Sequence, residues 1–202
     1  MPKKVDHTKR KILIAEATWN VIIRDGLEKA TVREVAKEAD LSAGALRHYF
    51  STQSEMLAFS MKLVSDRVRE RAVGKHYTGP PLDAMLELLC EFLPIDDEQR
   101  IEMEVWLVFS SRTLIDKKLH ALSRDVYLEM KQAIHQVIDG IIQLGFAKAD
   151  INKEMETRKL HALIDGIALH ALLHPDEYPV ENMMNLLQSH LKLLCIDKEE
   201  HA

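Results

Sequence analysis

The sequence predicts an all-α protein of about nine helices, in which a small N-terminal domain of three helices precedes a larger helical domain. Apolar residues recur at spacings of three and four along almost the whole chain of 202 residues, and this is the periodicity of amphipathic helices. Alternating runs of β-branched residues are absent from the sequence. Glycine and proline are few, at seven and six, and several of them mark the breaks between periodic segments.

The helices follow one another with short breaks. The predicted segments are 8–25, 32–39, 43–49, 53–73, 82–93, 98–111, 115–145, 153–173 and 180–195. Gly26 provides a C-terminal stop for the first helix. Capping boxes at Thr31–Glu34 and Thr52–Glu55 open the second and fourth helices, and Ser42 caps the third. The clearest linker is 74–81, which contains Gly74, Gly79 and two prolines.

Charge divides the chain into a basic head and an acidic body. Residues 1–51 carry ten Lys and Arg against seven Asp and Glu, whereas residues 52–202 carry seventeen against twenty-five. Such asymmetry suits contact with phosphate at one end of the molecule only. We therefore expect Lys9 and Arg10, within the basic N-terminal segment, to contribute to nucleic-acid binding.

Composition also limits the cellular setting. No apolar run approaches the roughly 18–20 residues that a membrane span needs, and the basic N-terminus is not followed directly by an apolar run of signal-peptide length. We expect a cytoplasmic protein that has no membrane partner. Cys90 and Cys195 have no metal-type spacing and lie in apolar helical segments, which predicts buried thiols.

Helices 32–39 and 43–49 predict a helix-turn-helix. The turn at Asp40–Leu41 is short, Leu46 and Phe50 supply apolar anchors, and small residues such as Gly44 would allow close approach of the two helices. The second helix would present polar and small side chains to the major groove, where Arg47 can pair with phosphate or guanine. The predicted DNA-binding residues are Lys9, Arg10, Thr31, Ser42, Ala43, Gly44, Ala45, Arg47, His48 and Tyr49.

Residues 10–57 resemble the N-terminal domain of the tetracycline-repressor (TetR/AcrR) family of transcriptional regulators. The string 31–50, TVREVAKEADLSAGALRHYF, and the segment Glu55-Met-Leu57 carry the resemblance. The resemblance implies that 43–49 is the recognition helix and that Thr31 and Tyr49 contact backbone phosphates. Three positions depart from the family pattern, which commonly has Tyr at Arg47, Gly at Asp40 and Lys at Gln53. Asp40 must then adopt its turn conformation at some strain.

Residues 82–195 resemble the effector domain of the BetI-like subfamily, typified by a choline/betaine-responsive repressor. The segments 105–110 and 162–173 carry this resemblance. It implies a homodimer, in which the apolar faces of the last two long helices pair with their copies. Our predicted dimer residues are Leu163, Ile167, Leu187 and Leu191. The alternative is that these faces serve only the core of a single chain.

A pocket for an unidentified small-molecule effector is predicted among helices 98–111, 115–145 and 153–173. Its candidate residues are Met103, Trp106, Phe109, Arg112, Tyr127, His135 and Asp165. Trp106 could supply a cation–π face if the ligand were a quaternary amine. Each of these side chains could equally serve the core or the surface.

The predicted organisation is a DNA-binding domain at 1–52, a connecting helix at 53–73 and an effector and dimerisation domain at 74–202. The predicted function is that of a ligand-controlled regulator, most simply a repressor, that binds a palindromic operator and uses no cofactor. Two alternatives remain at this stage. A small metal-binding enzyme would use the pairs His161/Asp165 and His170/His174, although these pairs point to opposite sides of a helix. A non-specific DNA-binding protein is disfavoured by the acidic body.

Overall fold

The computed structural model describes residues 2–114 and 117–196. Their helices are α1 Pro2–Asp25, α2 Val32–Glu38, α3 Ala43–Arg47, α4 Gln53–Gly74, α5 Pro81–Cys90, α6 Asp97–Thr113, α7 Lys117–Gln143, α8 Lys153–Leu173 and α9 Val180–Leu194. A short 3₁₀ helix, Leu27–Lys29, follows α1. The only β-type pairing in the described part of the chain is an isolated antiparallel bridge between Ala147 and Cys195. The predicted all-α class with about nine helices is confirmed.

The helix boundaries differ from the predicted ones in several places. Helix α1 begins at Pro2 rather than near Thr8, because proline is well tolerated at the first helical position. Helix α5 ends at Cys90, three residues earlier than predicted, whereas α6 continues to Thr113. The predicted start of the seventh helix at 115 lies outside the described residues.

Cα packing divides the chain into two compact units. The first, unit 1, comprises Met1–Glu70 and Ile101–Ser123, and the second, unit 2, comprises Arg71–Arg100 and Arg124–Ala202. Helices α4, α6 and α7 each pass from one unit to the other. The functional division at 52 and 73 follows sequence breaks rather than packing, and it stays a prediction.

The core of unit 1 joins the N-terminal helices to parts of α4, α6 and α7. Its fully buried side chains include Ile14 from α1, Leu46 from α3 and Met61 from α4, together with Phe109 from α6. The Trp19 indole N–H donates to the Ser60 carbonyl at 3.0 Å, so the polar edge of this buried ring is satisfied. The part of α1 from Ile14 to Trp19 is thus packed against elements far away in sequence.

Unit 2 is held together by α5, α8 and α9, which pack against one another with α9 between the other two. Its buried apolar side chains include the following residues: Leu89, Ile134, Ile138, Ile141, Leu160, Ile164, Ile167, Leu187 and Leu191. Cys90 and Cys195 are both buried and free, as predicted. Burial raises the pKa of the Cys90 thiol to about 11, which makes it a packing residue rather than a nucleophile. No helix in the described residues is both long and apolar enough to cross a membrane.

Candidate nucleic-acid interface

Helix α2 is fixed at both ends by local hydrogen bonds. At its start the Thr31 hydroxyl accepts from the Glu34 N–H at 3.3 Å. At its end the Asp40 N–H donates to the Lys37 carbonyl at 3.2 Å, and the Leu41 N–H donates to the Ala36 carbonyl at 2.8 Å. These two bonds form a Schellman motif, in which the residue that follows the C-cap residue, here Ala39, must be left-handed. Asp40 occupies that position with φ of 52°, so the strain expected from the sequence is present.

Helix α3 is short, and both of its ends are defined by local hydrogen bonds. The Ser42 hydroxyl accepts from the Ala45 N–H at 3.0 Å, as predicted. Leu46 and Phe50 are buried in the core of unit 1 and hold the helix against α2. The α-helix stops at Arg47 instead of residue 49, because the Tyr49 N–H bonds to the Leu46 carbonyl only three residues back. His48 and Tyr49 therefore lie in a tight turn rather than in the helix.

The outward face of α3 consists of small and polar side chains. Ser42, Ala43, Gly44, Arg47 and His48 are exposed, while Thr31, Ala45 and Tyr49 are half-buried. The expectation that Gly44 allows α2 and α3 to approach closely is wrong. A Cβ atom built there would meet only the Ser42 hydroxyl, at 3.8 Å. Without a side chain, Gly44 instead leaves the outer surface of α3 flat.

An open groove of about 600 Å³ lies where the starts of α2, α3 and α4 converge. Its lining residues are Thr31, Val32, Arg33, Ala43, Arg47, Ser51, Thr52 and Gln53. The Thr52 hydroxyl accepts from the Glu55 N–H at 3.1 Å, which caps α4 as predicted. The Glu55 carboxylate reaches back to Ser51 rather than to Thr52, at 2.8 Å from the hydroxyl and 2.9 Å from the N–H. These bonds from Ser51 lower the pKa of Glu55, with the hydroxyl the larger cause.

Gln53, which stands where the family commonly has Lys, is used structurally. Its side-chain amide donates to the Ala30 carbonyl at 3.0 Å. This bond ties the first turn of α4 to the segment before α2. The sequence could not assign this role, because the two residues are 23 positions apart.

Cations differ sharply in how they are neutralised within unit 1. Arg24 pairs with Asp25 and Glu38, and Arg67 pairs with Glu16. By contrast, a set of five cations on α1, α2 and α3 makes no ion pair with any residue that the structure describes, and two of them, Arg33 and Arg47, line the groove. This set comprises Lys9, Arg10, Arg33, Lys37 and Arg47. Cations left unneutralised by the protein itself are suited to phosphate. Arg33 and Lys37 were not predicted as contacts, although their i, i+4 spacing on α2 places both on one helix face.

The N-terminal part of α1, from His7 to Lys11, contacts Tyr49 and Phe50 directly after α3. The His7 ring lies 4.9 Å from the Tyr49 ring, between centroids, with the planes tilted by 38°. One turn later, the Lys11 ammonium lies 4.8 Å from the centre of the Phe50 ring. Sequence reading missed this contact, because it placed residues before Thr8 outside the helix.

The predicted effector residues fall in both units. In unit 1, Phe109 is fully buried and Trp106 is half-buried against the same hydrophobic core. Met103 is half-buried, and Arg112 pairs with Glu28 at 2.9 Å. These placements favour structural roles in unit 1, and the assignment of the four residues to an effector site stays a prediction.

In unit 2, a third residue brings two of the predicted effector residues together. The His161 ring stacks on Tyr127 at 4.8 Å between centroids, and its Nε2 lies 3.8 Å from the Asp165 carboxylate. His161 is 5% exposed, and burial lowers its pKa. His135 lies apart from this group, with its Nδ1 3.7 Å from Asp139 of the same helix.

Most of the predicted dimer residues are already buried within one chain. Ile167, Leu187 and Leu191 belong to the buried set of unit 2, and Leu163 is half-buried. The exposed apolar side chains of α8 and α9 lie at other positions. They are Met155, Leu169, Leu173, Val180, Met184, Leu186 and Leu193.

The histidine pairs considered for a metal site do not acquire a third ligand. His161 is buried and His170 is exposed, so the two pairs do point to different sides, as the helical rotation predicted. His174 caps α8 from outside regular helix, and its ring lies 6.0 Å from that of His170. Within the described ranges, no group of three His, Cys, Asp or Glu side chains could hold a metal ion.

Two family models together match most of the chain. Residues 14–58 match the model described as bacterial regulatory proteins of the tetR family. Residues 81–196 match the model described as the C-terminal part of BetI-type transcriptional repressors. The first match covers the capped helix pair and the groove described above.

Curated relatives and solved structures agree with these matches. The HTH-type transcriptional regulator PksA of Bacillus subtilis is 40% identical over 202 residues, covering 98% of this chain and 95% of that protein. BetI of Vibrio parahaemolyticus is 25% identical over 196 residues, with coverage of 95% and 94%. A transcriptional regulator from Rhodococcus sp. Rha1 superposes with a TM-score of 0.79 at 29% identity, covering 91% of this chain and 95% of that one. A regulator from Saccharomonospora viridis, solved in complex with choline, has a TM-score of 0.84 at 21% identity, with coverage of 95% and 100%.

Proposed function

Because the chain belongs to the TetR family of bacterial transcriptional regulators and carries a helix-turn-helix DNA-binding domain and a BetI-type C-terminal domain, we propose that it is a homodimeric repressor. In this proposal it acts in the cytoplasm, where it binds a palindromic operator and responds to a small-molecule effector. The description of the matching C-terminal model as a repressor supports the direction of regulation.

The observation that carries the proposal is the exposed, capped helix α3 beside cations that have no ion pair within the described residues. Ala43 and Gly44 let the helix axis approach the bases, and Arg47 at its end can form a bidentate contact with guanine or a charge-assisted bond to phosphate. Arg33 and Lys37 lie along α2 near the same groove. Their role is to hold the backbone, which sets the position and orientation of α3.

One α3 reads too little DNA for useful specificity, and this supports a dimer. The α-helical part of α3 is only five residues long, so a single copy reaches only a few base pairs. Two copies held about 34–36 Å apart would read successive major-groove faces of a palindrome. Their free energies would add, which gives one complex the discrimination that one half-site lacks.

The outward face of α8 is the surface that we assign to the second copy. Met155, Ala162, Gly166, Leu169 and Leu173 follow one another at spacings of seven, four, three and four, which places them on one helix face. Leu169 is 37% exposed and Leu173 is 58% exposed. A Cβ atom at Gly166 would meet nothing within 4 Å in a single chain. Since glycine in a helix interior costs about 0.5–1 kcal/mol relative to alanine, a close-packed second backbone is a physical reason for it.

The effector is proposed to act by linkage. A ligand that binds better to one arrangement of the two DNA-reading heads shifts the population towards that arrangement, and equal affinity for both would shift nothing. Helix α4 follows α3 directly in the chain and continues from unit 1 into unit 2 without a break, so it is the element that we expect to transmit the change. The predicted pocket residues, from Met103 to Asp165, stay the candidates.

Choline is the first ligand to test, since the Saccharomonospora viridis regulator binds it. Within unit 2, the exposed Tyr127 ring stacks on the buried His161, whose Nε2 lies 3.8 Å from the exposed Asp165 carboxylate. An aromatic face with a negative charge close by is a combination that recognises quaternary ammonium ions. Isothermal titration of the purified protein with choline, with glycerol as a neutral control, tests this ligand class directly.

The decisive experiment is selection of bound duplexes from a random pool, followed by affinity measurement. The protein is expected to enrich an inverted repeat and to bind it at least a thousandfold more tightly than a scrambled duplex at one fixed salt concentration. Equal affinity for both duplexes would instead support a non-specific DNA-binding protein and would reject the proposal.

A further inference from the structure

The part of α1 between His7 and Lys11 lies against the exit of α3 through two contacts. His7 and Lys11 are four residues apart, so they share one face of α1. His7 contacts the Tyr49 ring and Lys11 lies over the Phe50 ring, 4.9 Å and 4.8 Å away respectively. Two neighbouring positions on one helix face thus meet two neighbouring positions at the exit of α3. The earlier residue of α1 contacts the earlier residue after α3, and the later contacts the later. This pattern is expected when a helix packs against its neighbour.

The two contacted rings differ in whether they keep a polar group that DNA could contact. Phe50 is buried, so its contact with Lys11 anchors the core. Tyr49 is half-buried and packs against the same hydrophobic core, while its ring is also contacted by His7. Its hydroxyl makes no hydrogen bond to the residues that the structure describes. A tyrosine held on its ring but free at its hydroxyl is prepared to donate to a phosphate oxygen.

We propose that His7 is a positioning residue for operator binding, which holds the Tyr49 ring so that its hydroxyl points to the DNA backbone. This inference rests on the proposed DNA-binding function of Tyr49. Aromatic pairs at this separation contribute beyond simple area burial. In the free protein, His7 would restrict the rotamers of Tyr49, so less side-chain freedom is lost when the phosphate contact forms.

The test compares His7→Ala and His7→Phe with the unmodified protein, using the selected operator at fixed salt. His7→Ala is expected to weaken binding by about 2- to 10-fold, the range expected when one more side chain must be ordered on binding. His7→Phe, which keeps an aromatic ring without nitrogen atoms, is expected to restore at least half of the lost binding free energy. His76→Ala, the same change at an exposed position in the linker, serves as the matched control and is expected to bind as the unmodified protein does.

A double-mutant cycle with Tyr49→Phe isolates positioning from other effects. If His7 acts through the Tyr49 hydroxyl, His7→Ala should have little further effect once that hydroxyl is gone. Thermal unfolding of every variant checks that the fold is retained, as expected for an exposed His7.

Three results would overturn the inference. Unchanged affinity of His7→Ala would remove any role, and failure of His7→Phe to restore binding would assign His7 a direct polar contact instead. Additive effects in the cycle would show that His7 and Tyr49 act independently. These outcomes are distinct from failure of the proposed function, in which even the unmodified protein would select no operator.

Discussion

Single residues decide how firmly the helix-turn-helix is held. Asp40 is the only residue other than glycine with positive φ among those that the structure describes. At the equivalent position after α7, Gly145 closes a Schellman motif of the same kind, with the Phe146 N–H bonded to the Ile141 carbonyl at 3.0 Å. The two motifs have the same geometry but differ in cost, because only glycine adopts this conformation without steric strain.

Asp40→Gly is therefore expected to stabilise the protein by about 0.5–1 kcal/mol, since relief of left-handed strain exceeds the extra entropy that glycine gains in the unfolded chain. Asp40→Val should destabilise it by about 1–2 kcal/mol, because a β-branched side chain disfavours positive φ most strongly. Urea unfolding followed by circular dichroism measures both. A less stable glycine variant would mean that the Asp40 side chain contributes more than its backbone strain costs.

Arg47 is the residue whose removal should affect DNA binding most clearly. Arg47→Ala is expected to reduce operator affinity by roughly 10- to 100-fold and, if the contact is to phosphate, to lower the slope of log K against log salt by about one. Fluorescence anisotropy across a salt series measures both quantities. Arg24→Ala is the matched control, because Arg24 lies in the same unit but is neutralised by Asp25 and Glu38. Equal losses in the two variants would point to a general charge effect.

At the scale of elements, packing between α7 and α8 buries a titratable group. The His161 ring is 5% exposed and stacks on Tyr127. Its charged surroundings include Asp165, which favours the protonated ring, and Lys131, which opposes it. Burial is the larger cause, and together with Lys131 it outweighs Asp165, so the pKa of His161 is lowered.

This shift makes stability depend on pH. Because the pKa of His161 is lower in the folded state, the unfolded chain binds more protons between the folded pKa and about 6.5. The free energy of unfolding should therefore fall as the pH drops below about 6.5. Above that value the stability contributed by the neutral His161 ring should no longer change with pH. His161→Gln cannot titrate, so its melting temperature should fall less between pH 7.5 and pH 5.5. Parallel losses in the two proteins would assign the acid sensitivity to other groups, among them His190, whose pKa burial also lowers.

At the scale of the whole molecule, the structure separates two apolar surfaces that the sequence had merged. The periodicity of α8 and α9 predicted one broad apolar face that could serve either the core or a dimer. Ile167, Leu187 and Leu191 are buried in one chain, whereas Leu169 and Leu173 remain exposed. Substitution at the two sets should consequently have different effects.

The double variant Leu169→Glu/Leu173→Glu is expected to remain folded but to become monomeric and to lose tight operator binding. Two carboxylates on the proposed α8 surface would face their copies in the dimer. Leu187→Glu is expected instead to unfold the protein, because it buries an unpaired charge. Sedimentation velocity with circular dichroism distinguishes the outcomes. If the double variant remains dimeric, the dimer uses another surface.

Local chemistry allowed much of the DNA-reading part to be predicted from the sequence. Thr31, Ser42 and Thr52 cap their helices as expected, because a cap is decided by side chains within four residues of its backbone partner. The start of α1, the bond from Gln53 to Ala30 and the contact between His7 and Tyr49 could not be predicted. The spacing of neighbouring residues contains no information about these features.

The sequence alone determined the helical class, the capped helix pair and the basic end of the chain, since periodicity, caps and charge are properties of neighbouring residues. Only the tertiary structure decided which apolar residues are core and which are surface, and which cations lack an ion pair within the described residues. Packing also decided that the described parts of 101–123 join the N-terminal unit. Burial and ion pairing depend on segments that are distant in the chain. The residue pattern on one helix face does not indicate which segment packs against that face.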